Sequence, residues 1–230
     1  MLKNNLNQIF EKIKNGNNLG EDILLVGASK TMPVEVINQA IDFGLTTVAE
    51  NRVQEFIEKH ELIDKRAHQH FIGHLQTNKV KYLVGKVALI HSVDSIKLAQ
   101  EINRIATNRG ITQNVLIEIN AGGELSKSGF TLDSCYNAVA EVSKAFSNVK
   151  VVGLMAMLPK SDDENLLINL CSKMRSEYDK LKSDGYDMQF LSMGMSNDYE
   201  IAIKNGSNLI RLGRTIFGER KQGETINGNI

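Results

Sequence analysis

Short runs of apolar and β-branched residues alternate along this chain with longer stretches in which apolar residues recur at spacings of three and four. The first pattern predicts strands buried on both faces, and the second predicts amphipathic helices laid over them. The strand-like runs are ILLVGAS (23–29), TTVAE (46–50), HFIGH (70–74), ALIHSV (88–93), NVLIEIN (114–120), VVGLMAM (151–157), QFLSMG (189–194) and NLIRLG (208–213), eight in all. Helix-like stretches such as PVEVINQAIDFG, SIKLAQEINRIATNRG and TLDSCYNAVAEVSKAF lie between them, with NKVKYLV taken as a further one. Gly44, Gly110, Gly185 and Gly206 stand where helices close on a C-cap. Eight strand–helix units in about 200 residues predict an α/β fold, a single (β/α)8 TIM-type barrel. An open doubly wound sheet is the competing arrangement.

An extra helix is expected over residues 2–14, ahead of the first strand. The expected division is 1–20 for that N-terminal helix packed on the barrel, 21–220 for the barrel, and 221–230 for a polar, flexible tail. Pro33 and Pro159 are the only prolines, and no low-complexity linker marks a second domain.

Charge narrows the function classes. Lysine plus arginine number 27 and aspartate plus glutamate 27, so no net field draws nucleic acid or an anionic membrane to the surface. Any anion site must be local. Cys135 and Cys171 fall on helix-like stretches with no metal or disulfide spacing, and buried thiols are expected. The five histidines do not form a metal set, since His68 is placed ahead of the third strand. The N-terminus lacks a signal-peptide pattern and no run is long enough to span a bilayer, which predicts a cytoplasmic protein.

Barrels of this type gather their chemistry at the carboxyl ends of the strands. The loops after strands seven and eight commonly hold phosphate, and here they read SMGMSND and IRLGRTIFG. Ser196 is placed to cap a helix starting near Asn197, and Gly194 and Gly213 let backbone amides approach an anion. A plain cap and a tight turn explain the same residues. Arg211, inside an apolar run, needs a partner, either a structural ion pair across the barrel or a ligand.

Lys30, in VGASKTMPVEV, ends the first strand in the same mouth. A partly desolvated amine near another cation has a lowered pKa and attacks aldehydes. A molecule carrying both an aldehyde and a phosphate would find a group for each, with the phosphate cradle placed about one barrel diameter from Lys30. The alternative is a structural pair between Lys30 and a carboxylate such as Glu50.

The segments VGASKTMPVEVINQAIDFGLTTVAENRVQE, HFIGHLQTNKVKYL, HSVDSIKLA, NAGGELSKSGF, GLMAM, LSMGMSNDYEIAIKNGS and IRLGRTIFGER together resemble the pyridoxal phosphate homeostasis proteins. This is the YggS-like, or PROSC, group of fold-type III barrels, and the resemblance runs colinearly from about Leu24 to Arg220. It implies pyridoxal 5'-phosphate (PLP) as cofactor, held by Lys30 as an internal aldimine. It implies phosphate contacts from Ser192, Gly194, Ser196 and Gly213 with Arg214, a pyridine-facing Arg211, and Asn51 as a pocket residue. Many relatives carry a small hydroxyl residue where this chain has Arg214, so only the backbone amide there is carried over. The loop with Lys127 would lie at the same mouth.

An arginine at the ring nitrogen disfavours its protonation and weakens the cofactor as an electron sink. The resemblance therefore implies a monomeric carrier that serves vitamin B6 homeostasis without strong turnover, with PLP-dependent apoenzymes as recipients. The alternative is a PLP-dependent amino-acid racemase or decarboxylase. A two-base racemase takes its second base from an extra C-terminal β-domain, for which this chain leaves no room after the eighth run. A third reading, an aldolase-like barrel acting on sugar phosphates through Lys30 with Glu50 as proton shuttle, fits the paired SMGMS and RLG loops less well.

Overall fold

The computed structural model describes residues 1–124 and 128–218, so the expectations for Lys127 and for the 221–230 tail lie outside it. Its strands are β1 (Leu24–Ala28), β2 (Thr47–Glu50), β3 (His68–Phe71), β4 (Leu89–Val93), β5 (Gln113–Asn120), β6 (Phe130–Thr131), β7 (Val149–Ala156), β8 (Phe190–Ser192) and β9 (Leu209–Leu212). All pairings are parallel, and the order β4-β3-β2-β1-β9-β8-β7-β5 closes on itself because β4 also pairs with β5. Closure excludes the open doubly wound sheet. The short β6 continues the edge of β5 beyond the point where β4 ends, pairing Ile119 with Phe130.

Helices α1 (Leu2–Ile13), α2 (Val34–Asp42), α3 (Val53–Lys59), α4 (Ile96–Asn108), α5 (Cys135–Ala145), α6 (Glu164–Ser183), α7 (Tyr199–Lys204) and α8 (Arg214–Phe217) surround the strands. After β3 the expected helix is instead a 3-10 segment, Thr77–Tyr82. The third strand also sits two residues earlier than its apolar run suggested. It begins at His68 and ends before Gly73, where a Cβ would lie 2.0 Å from the Asn51 carbonyl oxygen. The four C-cap glycines do take left-handed φ values, between 64° and 100°.

The extra N-terminal helix earns its place by burial: Leu6, Ile9 and Ile13, spaced three and four apart, pack with Leu25, Ile37, Ile210 and Ile216. It thereby covers the seam where the first and last strands meet. Cys135 and Cys171 are buried in the larger outer layer, where desolvation pushes both thiols up to about 12.

Inside the barrel the packing changes character along the strands. Leu89, Leu116 and Leu209 form an apolar layer with Val26, Ala49, Val152 and Met155, joined by Ile72 and Phe190. His91, Glu118, Ser192 and Arg211 each lie two residues beyond one of these positions, and His70 two before another, so strand alternation turns all five inward. Each is at most 5% exposed. The mouth end of the interior is therefore polar. This layer costs stability: burial, with Asp94 nearby, raises the Glu118 carboxyl to about 7, only partly countered by Arg211 and His74.

A folded-state pKa raised from 4.5 to about 7 means that Glu118 adds no penalty below pH 4.5, where it is protonated in both states, destabilises progressively between pH 4.5 and about 7, and reaches its full penalty above that. Glu118→Gln should remove on the order of 3 kcal/mol of that penalty at pH 8 and almost none at pH 4. Thermal or urea unfolding of both proteins at the two pH values checks this; an equal difference at both would show that Glu118 is not held in its protonated form by burial.

Candidate functional site

The loop after β1 is held from outside the sheet. Thr31 takes a left-handed φ of 64°, which costs a β-branched residue about 1–2 kcal/mol. Its amide donates to Glu55 Oε2 at 2.7 Å. Lys59, also on α3, bridges Glu55 Oε2 and Glu50 Oε1 at 3.0 Å each and reaches the Ser29 carbonyl at 3.2 Å. Ser29 Oγ donates to Glu50 Oε1 at 2.7 Å. Glu50 is 2% exposed, and burial raises its carboxyl against the opposing effects of Lys59 and Ser29. The ammonium found on Glu50 thus belongs to Lys59. Half-buried Lys30 sits between two residues pinned by this network.

The other half of the site is built by β8, β9 and the loops that follow. Arg211 is 5% exposed and has no ion pair among the described residues. Its Nη1 donates to the Ser192 carbonyl at 3.1 Å and to Ser192 Oγ, and its Nη2 donates to the Ala156 carbonyl at 2.9 Å. Oxygens, rather than a carboxylate across the barrel, hold the guanidinium. Burial lowers its pKa to about 10, which leaves it charged at neutral pH.

Ser196 does not cap the helix expected near Asn197. That helix, α7, starts at Tyr199 after Asp198, whose Oδ1 accepts the Met195 amide at 2.6 Å. Ser196 Oγ instead accepts the Thr215 amide at 3.5 Å, joining the loop after β8 to the turn after β9. Arg214 swings to Asn197 Oδ1 at 3.0 Å, tying the same two loops. Gly194 allows a close crossing: at its φ of 95°, a Cβ would come within 2.8 Å of Tyr199 Cα, and its carbonyl accepts the Arg211 amide.

Lys30, Asn51, Ser196, Arg211, Gly213 and Arg214 line one cavity of about 730 Å³ at the carboxyl ends of the strands. Ser192 and Gly194 do not line it. Ser192 is fully buried, its hydroxyl bound to Arg211, and Gly194 is buried two residues ahead of Ser196. The distance across the site also differs from expectation. Because β9 pairs with β1, matching Leu212 to Gly27, Lys30 stands beside Gly213 rather than a barrel diameter away. The strand opposite β1 is β5, which brings Glu118 to the same cavity.

Glu118 was missed by inspection of strand ends, although a lone acid within NVLIEIN was its signal. The loop of residues 157–162 completes the wall, and His74 stands at the rim with its Nδ1 3.2 Å from Asp94. No cluster of three or more metal-ligating side chains occurs among the described residues. No described helix is long and apolar enough to cross a membrane.

The residues suit a flat molecule with an aldehyde at one end and an anion at the other. Lys30, Gly213, Arg214 and the fixed guanidinium of Arg211 share one wall, contributed by the adjacent strands β1 and β9 and the turns after them. Asn51 Oδ1 is buried without a partner among the described residues, on the same cavity. Ser192 and Ala156 take three of the five guanidinium N–H groups of Arg211, which leaves two, on Nε and Nη2, for a ligand.

Residues 4–221 match the alanine racemase N-terminal domain family. A pyridoxal phosphate homeostasis protein from Aquifex aeolicus is 46% identical over 199 residues, covering 86% of this chain and 87% of that protein. The solved structure of PipY from Synechococcus elongatus with PLP bound superposes with a TM-score of 0.83 at 28% identity, over 95% of this chain and 100% of that one. Alanine racemase from Clostridium difficile shares the fold, with a TM-score of 0.81 at 20% identity, and this chain spans 56% of its length. A closed eight-stranded barrel ending in this site, and homology along most of its length, agree: the chain belongs to the alanine racemase N-terminal domain family and, within it, to the pyridoxal phosphate homeostasis proteins.

Proposed function

We propose that this protein binds pyridoxal 5'-phosphate reversibly and serves vitamin B6 homeostasis in the cytoplasm, as a monomer that releases the cofactor to PLP-dependent apoenzymes. The observation that carries the reading is the meeting of Lys30, Arg211 and the Gly213–Arg214 turn on one cavity, in a chain whose relatives are named for PLP homeostasis. Bound through its aldehyde to an amine, PLP acts as an electron sink toward the α-carbon of an amino acid.

In this reading Lys30 supplies the amine. The amides of Gly213 and Arg214, with Ser196 Oγ, receive the phosphate. Ser192 and Gly194 act one step behind: Ser192 fixes Arg211, and Gly194 lets the Ser196 loop reach the cavity. Arg211 presents an N–H to the ring nitrogen and keeps its proton at neutral pH, so that nitrogen is left unprotonated. Asn51 Oδ1 accepts a hydrogen bond from the bound molecule. These roles describe holding a cofactor, with its electron-withdrawing power turned down.

Borohydride reduction of the PLP-loaded protein, followed by peptide mass mapping, should place the pyridoxyl group on Lys30. Lys30→Ala should lose the label and at least about tenfold in PLP affinity, as expected for removal of the attachment point. Label on another lysine, or equal labelling of the variant, would remove Lys30 from its role.

The carrier reading is tested separately by incubating loaded protein with amino acids in deuterium oxide. Exchange at Cα should stay below one turnover per protein over hours. Many turnovers would turn the reading toward a racemase, and release of carbon dioxide toward a decarboxylase.

A further inference from the structure

Beneath the cavity, four polar side chains from four strands form a continuous chain through the barrel interior. Arg211 on β9 donates to Ser192 Oγ on β8. Ser192 Oγ lies 3.4 Å from His91 Nδ1 on β4, and His91 Nε2 lies 3.0 Å from His70 Nδ1 on β3. His91 and Ser192 are wholly inaccessible, and His70 and Arg211 are each 5% exposed. Nothing in the reading above uses the two histidines.

Donor and acceptor chemistry sets a direction along this chain. A guanidinium only donates, so the Ser192 oxygen accepts and its own hydrogen is left for His91 Nδ1. Ser192 Oγ contacts only Arg211 and His91 Nδ1 among the described residues, so the arrangement that gives its hydrogen an acceptor leaves that nitrogen unprotonated. The proton of His91 lies on Nε2 and is given to His70 Nδ1, which leaves the proton of His70 on Nε2. Burial holds both imidazoles neutral, with His70 near 3 and His91 far below its ordinary value, so the acceptor on His91 persists at working pH.

We propose that His91 is a positioning residue for the ligand: by accepting the Ser192 hydroxyl it fixes the lone pair that receives Arg211, and His70 locks His91 in the required tautomer. Three of the five N–H groups of Arg211 are thereby committed to Ser192 and Ala156, which fixes the plane of the guanidinium at the cavity. The inference rests on the reading of Arg211 as the residue facing the cofactor ring. It adds that the orientation is specified from the far side of the barrel.

Long-range proton–nitrogen NMR of the cofactor-free protein should show Nε2–H for both His70 and His91. A proton on His91 Nδ1 would overturn the relay, and this measurement needs no variant to fold. With PLP bound, His91→Leu should shift the cofactor absorption band and weaken binding about tenfold, the scale of one lost hydrogen bond to a charged group. His91→Asn, whose Oδ1 stands near the former Nδ1, should restore the band and bring affinity within about threefold of the parent. An unchanged band and affinity in a folded His91→Leu protein, or equal impairment in folded Leu and Asn variants, would overturn positioning. Failure of the parent itself to take up PLP would instead refute the cofactor reading, while the tautomers would still decide whether the chain runs as described.

Discussion

Closure of the parallel ring is the constraint on which everything else depends. Pairing of β9 with β1, and of β4 with β5, brings all eight barrel strands to one rim at their carboxyl ends. Residues nearly two hundred positions apart become neighbours by register alone: Gly27 faces Leu212, so the turns that carry Lys30 and Gly213 rise side by side. The helix α1 seals that junction from outside. A barrel opened at this seam would separate the amine from the turn beside it.

Much of this was legible in the order of apolar runs, because parallel strands buried on both faces leave dense apolar marks. The third strand was displaced because its first three residues, His68, Gln69 and His70, are polar, while the apolar run beyond them turns away at Gly73. The strand-end rule found the cavity wall, but it did not separate residues facing the cavity from those facing the interior. Ser192 lies two positions after inward Phe190 and points into the barrel, whereas Ser196 lies on the loop. Glu118 escaped because it lies two residues before its strand ends, and a single acid has no periodic signature. The Lys59 network joins three segments in a way that spacing along one chain does not encode.

The polar layer inside the barrel opposes the burial energy below it. Histidines, a carboxyl and a guanidinium occupy positions that Val or Leu would fill at lower cost. Hydrogen bonding offsets much of this for Arg211, His91 and Ser192, whereas Glu118 is tolerated through protonation near neutrality. Such a layer ties stability to the site: groups that would face a bound molecule are also the ones the apo barrel holds least comfortably.

The left-handed Thr31 acquires a wider meaning beside this layer. Arg211 is set by main-chain carbonyls of the barrel, a stiff mounting shielded from solvent. Lys30 is set by a backbone bend kept in place through side chains of α3, and Lys59 and Glu55 retain 12% and 17% of their side-chain exposure. Ions and protons in bulk water reach the second mounting and not the first. The site thus has a rigid jaw and a compliant one, and it is the compliant jaw that carries the amine.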